Sequence, residues 1–386
     1  MTVKVDPVDL AQRLIRCKSV TPSDDGALNL LQEVLEQIGF VCYRRTFEDT
    51  DSPPVDNLYA RLGIHEPNFC FAGHTDVVPI GNPDQWTVDP FGGEIKNGKV
   101  YGRGATDMKS AIASFVAAVS EFTCERGNNF CGSLSLLITG DEEGPSINGT
   151  RKMLKWMKDS GEIINDCIVG EPTNPNNLGE MIKIGRRGSL SGWLTVFGTQ
   201  GHAAYPHLAN NPIPRILKIA TLMMEEPIDN GTEHFQPTSL QITSIDVGNK
   251  ATNVIPSEGR LTFNIRFNDK HTGKSLMDWV RRRCEKTCKN FDLKFQLSGE
   301  AFLTPPGKLS DLITAAVQKV MGKNPELSTT GGTSDARFIK DFCDVAEFGL
   351  VSQTMHKLDE CAKIEDIHYL SEIYKNVLDG YFSPRP

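Results

Sequence analysis

The sequence predicts an α/β protein built on a mainly parallel sheet, interrupted by a smaller inserted domain of ferredoxin-like α+β type. Three observations predict it. Helical patterns alternate with continuous apolar runs through roughly the first 175 residues. From about residue 187 the order becomes strand, helix, strand, strand, helix, strand. After Pro305 the first style returns.

Ala27–Ile38 places Ala27, Leu31, Val34, Leu35 and Ile38 on one helical face. Residues 68–72 form a short apolar run. Asp107 stands where it would cap a helix over 108–121, with Ile112, Phe115, Val116 and Val119 along one stripe. Ser133–Thr139 and 166–170 are further apolar runs. Strands apolar on both faces, separated by helices, point to βαβ units and a parallel sheet.

In the second region, 190–197 reads as a strand, 212–225 as a helix and 239–247 as a strand. Residues 260–267 alternate cleanly, with Leu261, Phe263, Ile265 and Phe267 against Arg260, Thr262, Asn264 and Arg266. A helix over 273–290 and a strand over 292–297 complete the unit. Cys284 and Cys288 share that helix's apolar face with Met277 and Val280 and are expected in its core. A helix over 309–321 and a strand over 345–348 then rejoin the first domain. The expected boundaries are 1–183 and 301–386 for the main domain and 184–300 for the insertion.

Composition narrows the function classes. A chain of 386 residues suits two domains. Hydrophobic residues at 39% and charged residues at 23% exclude whole-chain disorder. A net charge of −8 argues against nucleic acid or an anionic membrane as partner. No apolar run approaches ~18 residues. The stretch 1–10 carries Lys4, Asp6 and Asp9 and no apolar signal core, so no secretion signal is expected. Ten cysteines without a CxxC pair are read as reduced thiols of a cytoplasm.

Several acids and histidines share one location rule. His74 and Asp76 (GHTDVVPIG) follow the run over 68–72, and Asp107 (GRGATDMKS) opens a helix. Glu142 and Glu143 (GDEEGP) follow Ser133–Thr139, Glu171 (GEPT) follows the run over 166–170, and His356 lies a short loop beyond the last strand. Ligands of open α/β sheets bind at the carboxyl ends of strands. Alone, each residue has an ordinary reading: a structural polar group, a helix cap at Asp107, a solvated loop at Glu142–Glu143. The glycines of GRGATD do not complete a phosphate loop. Jointly, carboxylates gathered at one edge repel unless protonated or neutralised by cations. Two histidines and three carboxylates suit two zinc ions, each taking one histidine and one carboxylate with the third carboxylate bridging, and one further carboxylate stays off the metals to carry a proton. Such a pair can acidify a water and polarise a carbonyl.

The motifs GHTDVVPIG, GRGATDMKS, GDEEGP, GEPT and GTQGHAAYPHLANNP resemble those of the dinuclear-zinc aminoacylase and carboxypeptidase superfamily. Within it, GRRGSLSG, NVIPSEGRLTFNIRF and STTGGTSDARFI are similar to the succinyl-diaminopimelate desuccinylase family rather than to acetylornithine- or peptide-cleaving relatives. The motifs span residues 71–356, nearly the whole chain.

The resemblance implies a zinc-hydrolase catalytic domain carrying an inserted dimerisation (lid) domain. It implies that Asp107 bridges two zinc ions, with cobalt(II) as the expected substitute. His74 and Glu171 would complete one site, Glu143 and His356 the other. Glu142 would be general base and then acid, and Asp76 would hydrogen-bond His74 and fix its tautomer. His202 would reach the active site of the other subunit of a homodimer and stabilise the oxyanion. The implied reaction is hydrolysis of the succinyl amide of N-succinyl-LL-2,6-diaminopimelate in a bacterial cytoplasm, on the route to lysine and peptidoglycan precursors.

A substrate with several carboxylates calls for bidentate arginine. Arg186 and Arg266 are the candidates, with Arg187 a close rival of Arg186 and a solvated sheet face the ordinary reading of Arg266. Ser189, Asn253 and the loop of Gly331, Gly332, Thr333 and Ser334 add neutral donors. The run Arg281, Arg282, Arg283 reads as a solvated helix face. Two rivals stay open: the same chemistry on another N-acyl amino acid or a dipeptide, and a non-catalytic metal-binding protein on the same fold.

Overall fold

The computed structural model describes residues 3–127 and 130–383. The expected spans 1–183 and 301–386 therefore begin and end on residues outside that description. The chain divides into two compact units. The larger takes the chain up to Ile184, then Thr304–Ser328, then the chain from Ser334 onward. The smaller takes Gly185–Leu303 together with Thr329–Thr333. It thus reaches three residues past the expected boundary at 300 and recruits a short loop from beyond it.

The larger unit is built on an eight-stranded sheet, in the order Val41–Asp49, Ser52–Leu62, Ser133–Thr139, Asn68–His74, Asp166–Val169, Asp344–Glu347, Met181–Lys183, Glu326–Ser328. Its middle four strands are parallel. Ser133–Thr139 and Asn68–His74 are buried at every position, which is why they read as largely apolar runs without exposed-face alternation. The hairpin at one edge is antiparallel, and its outer strand has only exposed and half-buried residues. Sequence pattern alone leaves it undetected, because VCYRRTFED lacks an apolar stretch.

The helix expected over 108–121 forms as Ser110–Arg126. Asp107 does not cap it: the N-cap is Lys109, and Asp107 lies before it in a distorted turn with φ −121° and ψ 92°. Its carboxylate and amide are engaged elsewhere. The helix is buried almost all round because it packs both on the sheet and against Ile364–Tyr381. Phe115 stacks on Phe71 at 4.4 Å between centroids, and Tyr374 meets both edge-on at 5.6 Å. Truncating either phenylalanine would cost about 3–5 kcal/mol.

The smaller unit has the expected element order. Its antiparallel sheet runs Ser239–Asp246, Glu258–Phe267, Gly188–Phe197, Phe291–Gly299, the arrangement of a split βαβ unit. The helices Ile213–Met224 and Gly273–Glu285 contribute Ile216, Ile219, Leu276 and Val280 to a core with Leu261, Phe263, Ile265 and Phe267. The second helix stops five residues short of the expected 290. Thr287 and Cys288 both donate to the Cys284 carbonyl, and this tight turn starts the next strand. Cys288 thus enters the core from the turn, while Cys284 enters from the helix. Arg283 is not a solvated group: its guanidinium stacks on Trp279 at 3.5 Å and donates to the Leu222 carbonyl at 2.9 Å.

Candidate metal centre

The parallel strands end at one edge of the larger unit's sheet. His74 is the last residue of Asn68–His74, and Glu142–Glu143 and Glu171 follow the ends of Ser133–Thr139 and Asp166–Val169. His356 follows the helical turn Ser352–Thr354 with φ +61°. Two glycines make the approach possible. A Cβ on Gly170 would lie 2.5 Å from Phe71 Cζ. Gly104, at φ +82°, turns the chain into Asp107, and a Cβ there would lie 2.6 Å from Val77 Cγ1.

The carboxylate of Asp107 lies between two imidazoles. His74 Nε2 is 3.2 Å from its Oδ1, and His356 Nε2 is 3.1 Å from its Oδ2. His74 Nε2 is also 3.7 Å from Glu171 Oε1, and His356 Nε2 is 2.8 Å from Glu143 Oε1. His74, Asp107 and Glu171 therefore form one cluster of possible ligand atoms, and Asp107, Glu143 and His356 another. His74, Glu142 and Glu143 make a third. The first two share Asp107, a nitrogen-and-oxygen donor set suited to divalent zinc or its neighbours.

The electrostatics follow from the crowding. Burial favours neutral His74, yet Asp107, Glu171 and Glu142 outweigh it and push the imidazole well above its usual range. Hydrogen bonding to Asp107 and Glu143 raises His356 to about 10. Burial would raise Asp107, but His356 and His74 hold it below the usual carboxylate range. Glu142 is pushed well above its ordinary value, first by burial and then by Glu171. That direction suits a group that must hold and release a proton.

The tautomer of His74 is set differently from the expectation. Nδ1 lies 2.9 Å from the backbone carbonyl of Asp76 and 3.6 Å from its carboxylate. The carboxylate instead accepts the N–H groups of Glu142 at 3.2 Å and Glu143 at 3.0 Å. Asp76 therefore holds both the imidazole and the loop bearing the two glutamates.

Three supporting groups carry no separate sequence signal. Asp141 accepts from the N–H groups of Ser146, Ile147 and Asn148, closing the glutamate loop. Glu360 accepts from the N–H groups of Thr106 and Asp107, and Arg103 pairs with Glu360 at 2.7 Å.

Of the other expected site residues, Ser334 belongs to the larger unit, where its hydroxyl donates to Glu347 Oε1 at 2.6 Å, and the rest belong to the smaller unit. His202 is exposed on a short strand paired with Val254, and Ala203 donates to the Asn253 carbonyl at 2.8 Å. Ser189 and Arg266 are opposite each other in the sheet. Arg186 Nη1 donates to the carbonyls of Thr330 and Gly332, at 3.4 and 3.3 Å, beside Thr333. Arg187 is half-buried close to Arg266. Burial and then that like charge lower its pKa.

Residues 70–380 match the description "Peptidase family M20/M25/M40". The succinyl-diaminopimelate desuccinylase of Rhodospirillum centenum is 59% identical over 98% of this chain and 98% of its own. That of Caulobacter vibrioides strain NA1000 is 52% identical over 99% of this chain and 98% of its own. Among solved structures, an M20 family metallo-carboxypeptidase from Sulfolobus solfataricus superposes with a TM-score of 0.78, covering 97% of this chain and 99% of that chain at 17% identity. Aminopeptidase PepT from Bacillus cereus gives 0.77, covering 98% and 99% at 18% identity. These two likenesses concern the fold alone.

Proposed function

The chain belongs to peptidase family M20/M25/M40, and from that premise we propose that it hydrolyses the succinyl amide of N-succinyl-LL-2,6-diaminopimelate to succinate and LL-2,6-diaminopimelate. The relatives at 52–59% identity carry that activity in their names. The observation that supports the chemistry most directly is the Asp107 carboxylate lying between His74 and His356.

We assign two zinc ions to the centre, replaceable by cobalt(II). His74 and Glu171 would hold one, Glu143 and His356 the other, and Asp107 both. When bound, the metals supply Lewis acidity, which acidifies water and polarises a carbonyl. The chain's own residues do the rest. Glu142 takes a proton from the attacking water as its oxygen bonds to the succinyl carbonyl carbon. It returns that proton to the amine nitrogen as the carbon–nitrogen bond breaks. Asp76 keeps Glu142 and Glu143 in register through their backbone N–H groups. The assigned role of His202 is to donate to the developing oxyanion, delivered by a second copy of the chain in a homodimer. Arg186, Ser189, Asn253, Arg266, Gly332 and Thr333 are assigned to the substrate's carboxylates and amines. No helix among the described residues is long and apolar enough to cross a membrane. A biosynthetic hydrolase of this kind would work in a bacterial cytoplasm, feeding lysine and peptidoglycan precursor synthesis.

The test is turnover on N-succinyl-diaminopimelate, N-acetylornithine and simple dipeptides, each with and without a chelator and then with zinc restored. Chelator-sensitive succinate release at the highest kcat/KM is the expected result. Preference for either of the other substrates would overturn the substrate assignment, and activity indifferent to the chelator would overturn the chemistry.

A further inference from the structure

The segment delivering Asp107 and the segment delivering His356 are tied together by a buried ion pair that the reaction as described does not use. Glu360 is fully buried and Arg103 is 3% exposed. Arg103 Nη1 donates to Glu360 Oε2 at 2.7 Å and to the carbonyl of Lys357, the residue after His356, at 3.1 Å. Its Nη2 reaches the Pro79 carbonyl at 3.4 Å, and its guanidinium lies 5.3 Å from the Trp86 ring centroid. The other oxygen of Glu360, Oε1, accepts the N–H of Thr106 at 2.9 Å and that of Asp107 at 3.1 Å. The same two segments meet again where Thr106 and Thr354 both donate to the Cys361 carbonyl, at 2.9 and 2.8 Å.

Stability is a poor explanation for this arrangement. A buried ion pair often does no better than well-packed apolar side chains of similar volume, because desolvation offsets the Coulombic gain. Here each charge also hydrogen-bonds backbone at or beside a proposed ligand: Glu360 the N–H groups of Thr106 and Asp107, Arg103 the carbonyl after His356. His356 also sits in the left-handed region at φ +61°, which a side chain adopts at a cost unless its neighbours hold it there. Arg103 grips the carbonyl immediately after it.

We propose that Arg103 and Glu360 are positioning residues for the metal centre. Glu360 fixes the backbone of Asp107, Arg103 fixes the backbone beside His356, and the bond between them sets the separation of the two ligands. This inference rests on Asp107 and His356 serving as metal ligands. Partners that orient ligands in this way are typically worth 10- to 100-fold in metal affinity.

The experiment measures zinc affinity and stoichiometry by competition with a chromophoric chelator. It compares the full-length wild type, Glu360→Gln, Arg103→Lys, His356→Ala and the double variant Glu360→Gln/His356→Ala. Circular dichroism of each metal-free form reports the fold. Glu360→Gln keeps one acceptor oxygen but turns donor against donor towards Arg103. A folded Glu360→Gln should bind its weaker zinc about 10- to 100-fold less tightly. The double variant should lose less than the product of the single losses, because both changes disturb one geometry. Should metal-free Glu360→Gln fail to fold, Arg103→Lys, which keeps the charge and loses the fork, carries the same expectation. Folded variants that hold zinc as tightly as wild type would overturn the proposal, as would independent losses in the double variant. A wild-type chain that takes up no zinc would instead sink the reading of the centre.

Discussion

His356 Nε2 lies 3.1 Å from Asp107 Oδ2 and 2.8 Å from Glu143 Oε1, so a single imidazole joins two carboxylates contributed by distant parts of the chain. Those two acids raise its pKa to about 10. Without metal, His356 therefore stays protonated through neutral pH, whereas a metal ligand must be neutral. Zinc uptake below about pH 10 should displace that proton, and affinity should climb as pH rises towards 10. Calorimetric titrations in buffers of different ionisation enthalpy count the protons released. His356→Ala should release about one fewer than wild type at pH 7, and equal proton counts would contradict this assignment.

Glu142 is the acid whose raised pKa and position beside His74 and Glu143 suit proton transfer. Glu142→Ala should retain its metal, measured by elemental analysis, while kcat falls about 10²- to 10⁴-fold. Near-normal turnover would remove it from the mechanism.

The role proposed for His202 in a second copy of the chain leads to a complementation experiment. His202→Ala should lower kcat about 10²- to 10³-fold, with metal content unchanged. Subunits carrying Glu142→Ala, mixed and reassembled with subunits carrying His202→Ala, should regain activity that neither parent has. The mixed dimer holds one site with both groups intact. Absence of any regain in verified mixed dimers would place His202 outside the partner's chemistry.

Asp229 organises the smaller unit. Its carboxylate accepts from the Gly231 and Thr238 N–H groups and the Asn268 amide, and it pairs with His271 at 3.0 Å. Burial alone would raise its pKa, but hydrogen bonds from Thr238, Gly231 and Asn268 outweigh that and hold it at about 2. A depressed folded-state pKa contributes stability that is present above the unfolded value near 3.8 and lost as pH falls towards 2. The contribution is up to about 2 kcal/mol. Urea unfolding from pH 5 to pH 2 should therefore give wild type a steeper acid loss than Asp229→Asn. Parallel curves would show that the carboxylate contributes nothing.

Legibility tracked how local each signal is. The four central strands show in the sequence because burial on both faces favours largely apolar runs, and the candidate ligand positions follow because functional groups gather where such strands end. The edge hairpin, half-polar, lacks that mark. Its place before an apolar helical stripe makes Asp107 look like a helix cap, but the carboxylate is drawn to His74 and His356 and its N–H to Glu360. Asp76 behaves similarly: its spacing from His74 is visible in the motif, but which of its oxygens meets the imidazole is not.

By itself, then, the sequence determined the kind of fold, the element order of the smaller unit and the residue types assembled at one sheet edge. Periodicity and composition are properties of neighbouring residues, and they survive without coordinates. Only the tertiary structure decided that Asp107 shares its two oxygens between two histidines, that the Asp76 carbonyl meets His74, and that Arg103 and Glu360 join the segments carrying Asp107 and His356. Asp107 with its two histidines and Arg103 with Glu360 are contacts between residues far apart in the chain, and the choice between the carbonyl and the carboxylate of the neighbouring Asp76 is made by the Glu142–Glu143 loop that occupies the carboxylate. No local pattern encodes them, because their distances are set by how whole elements pack.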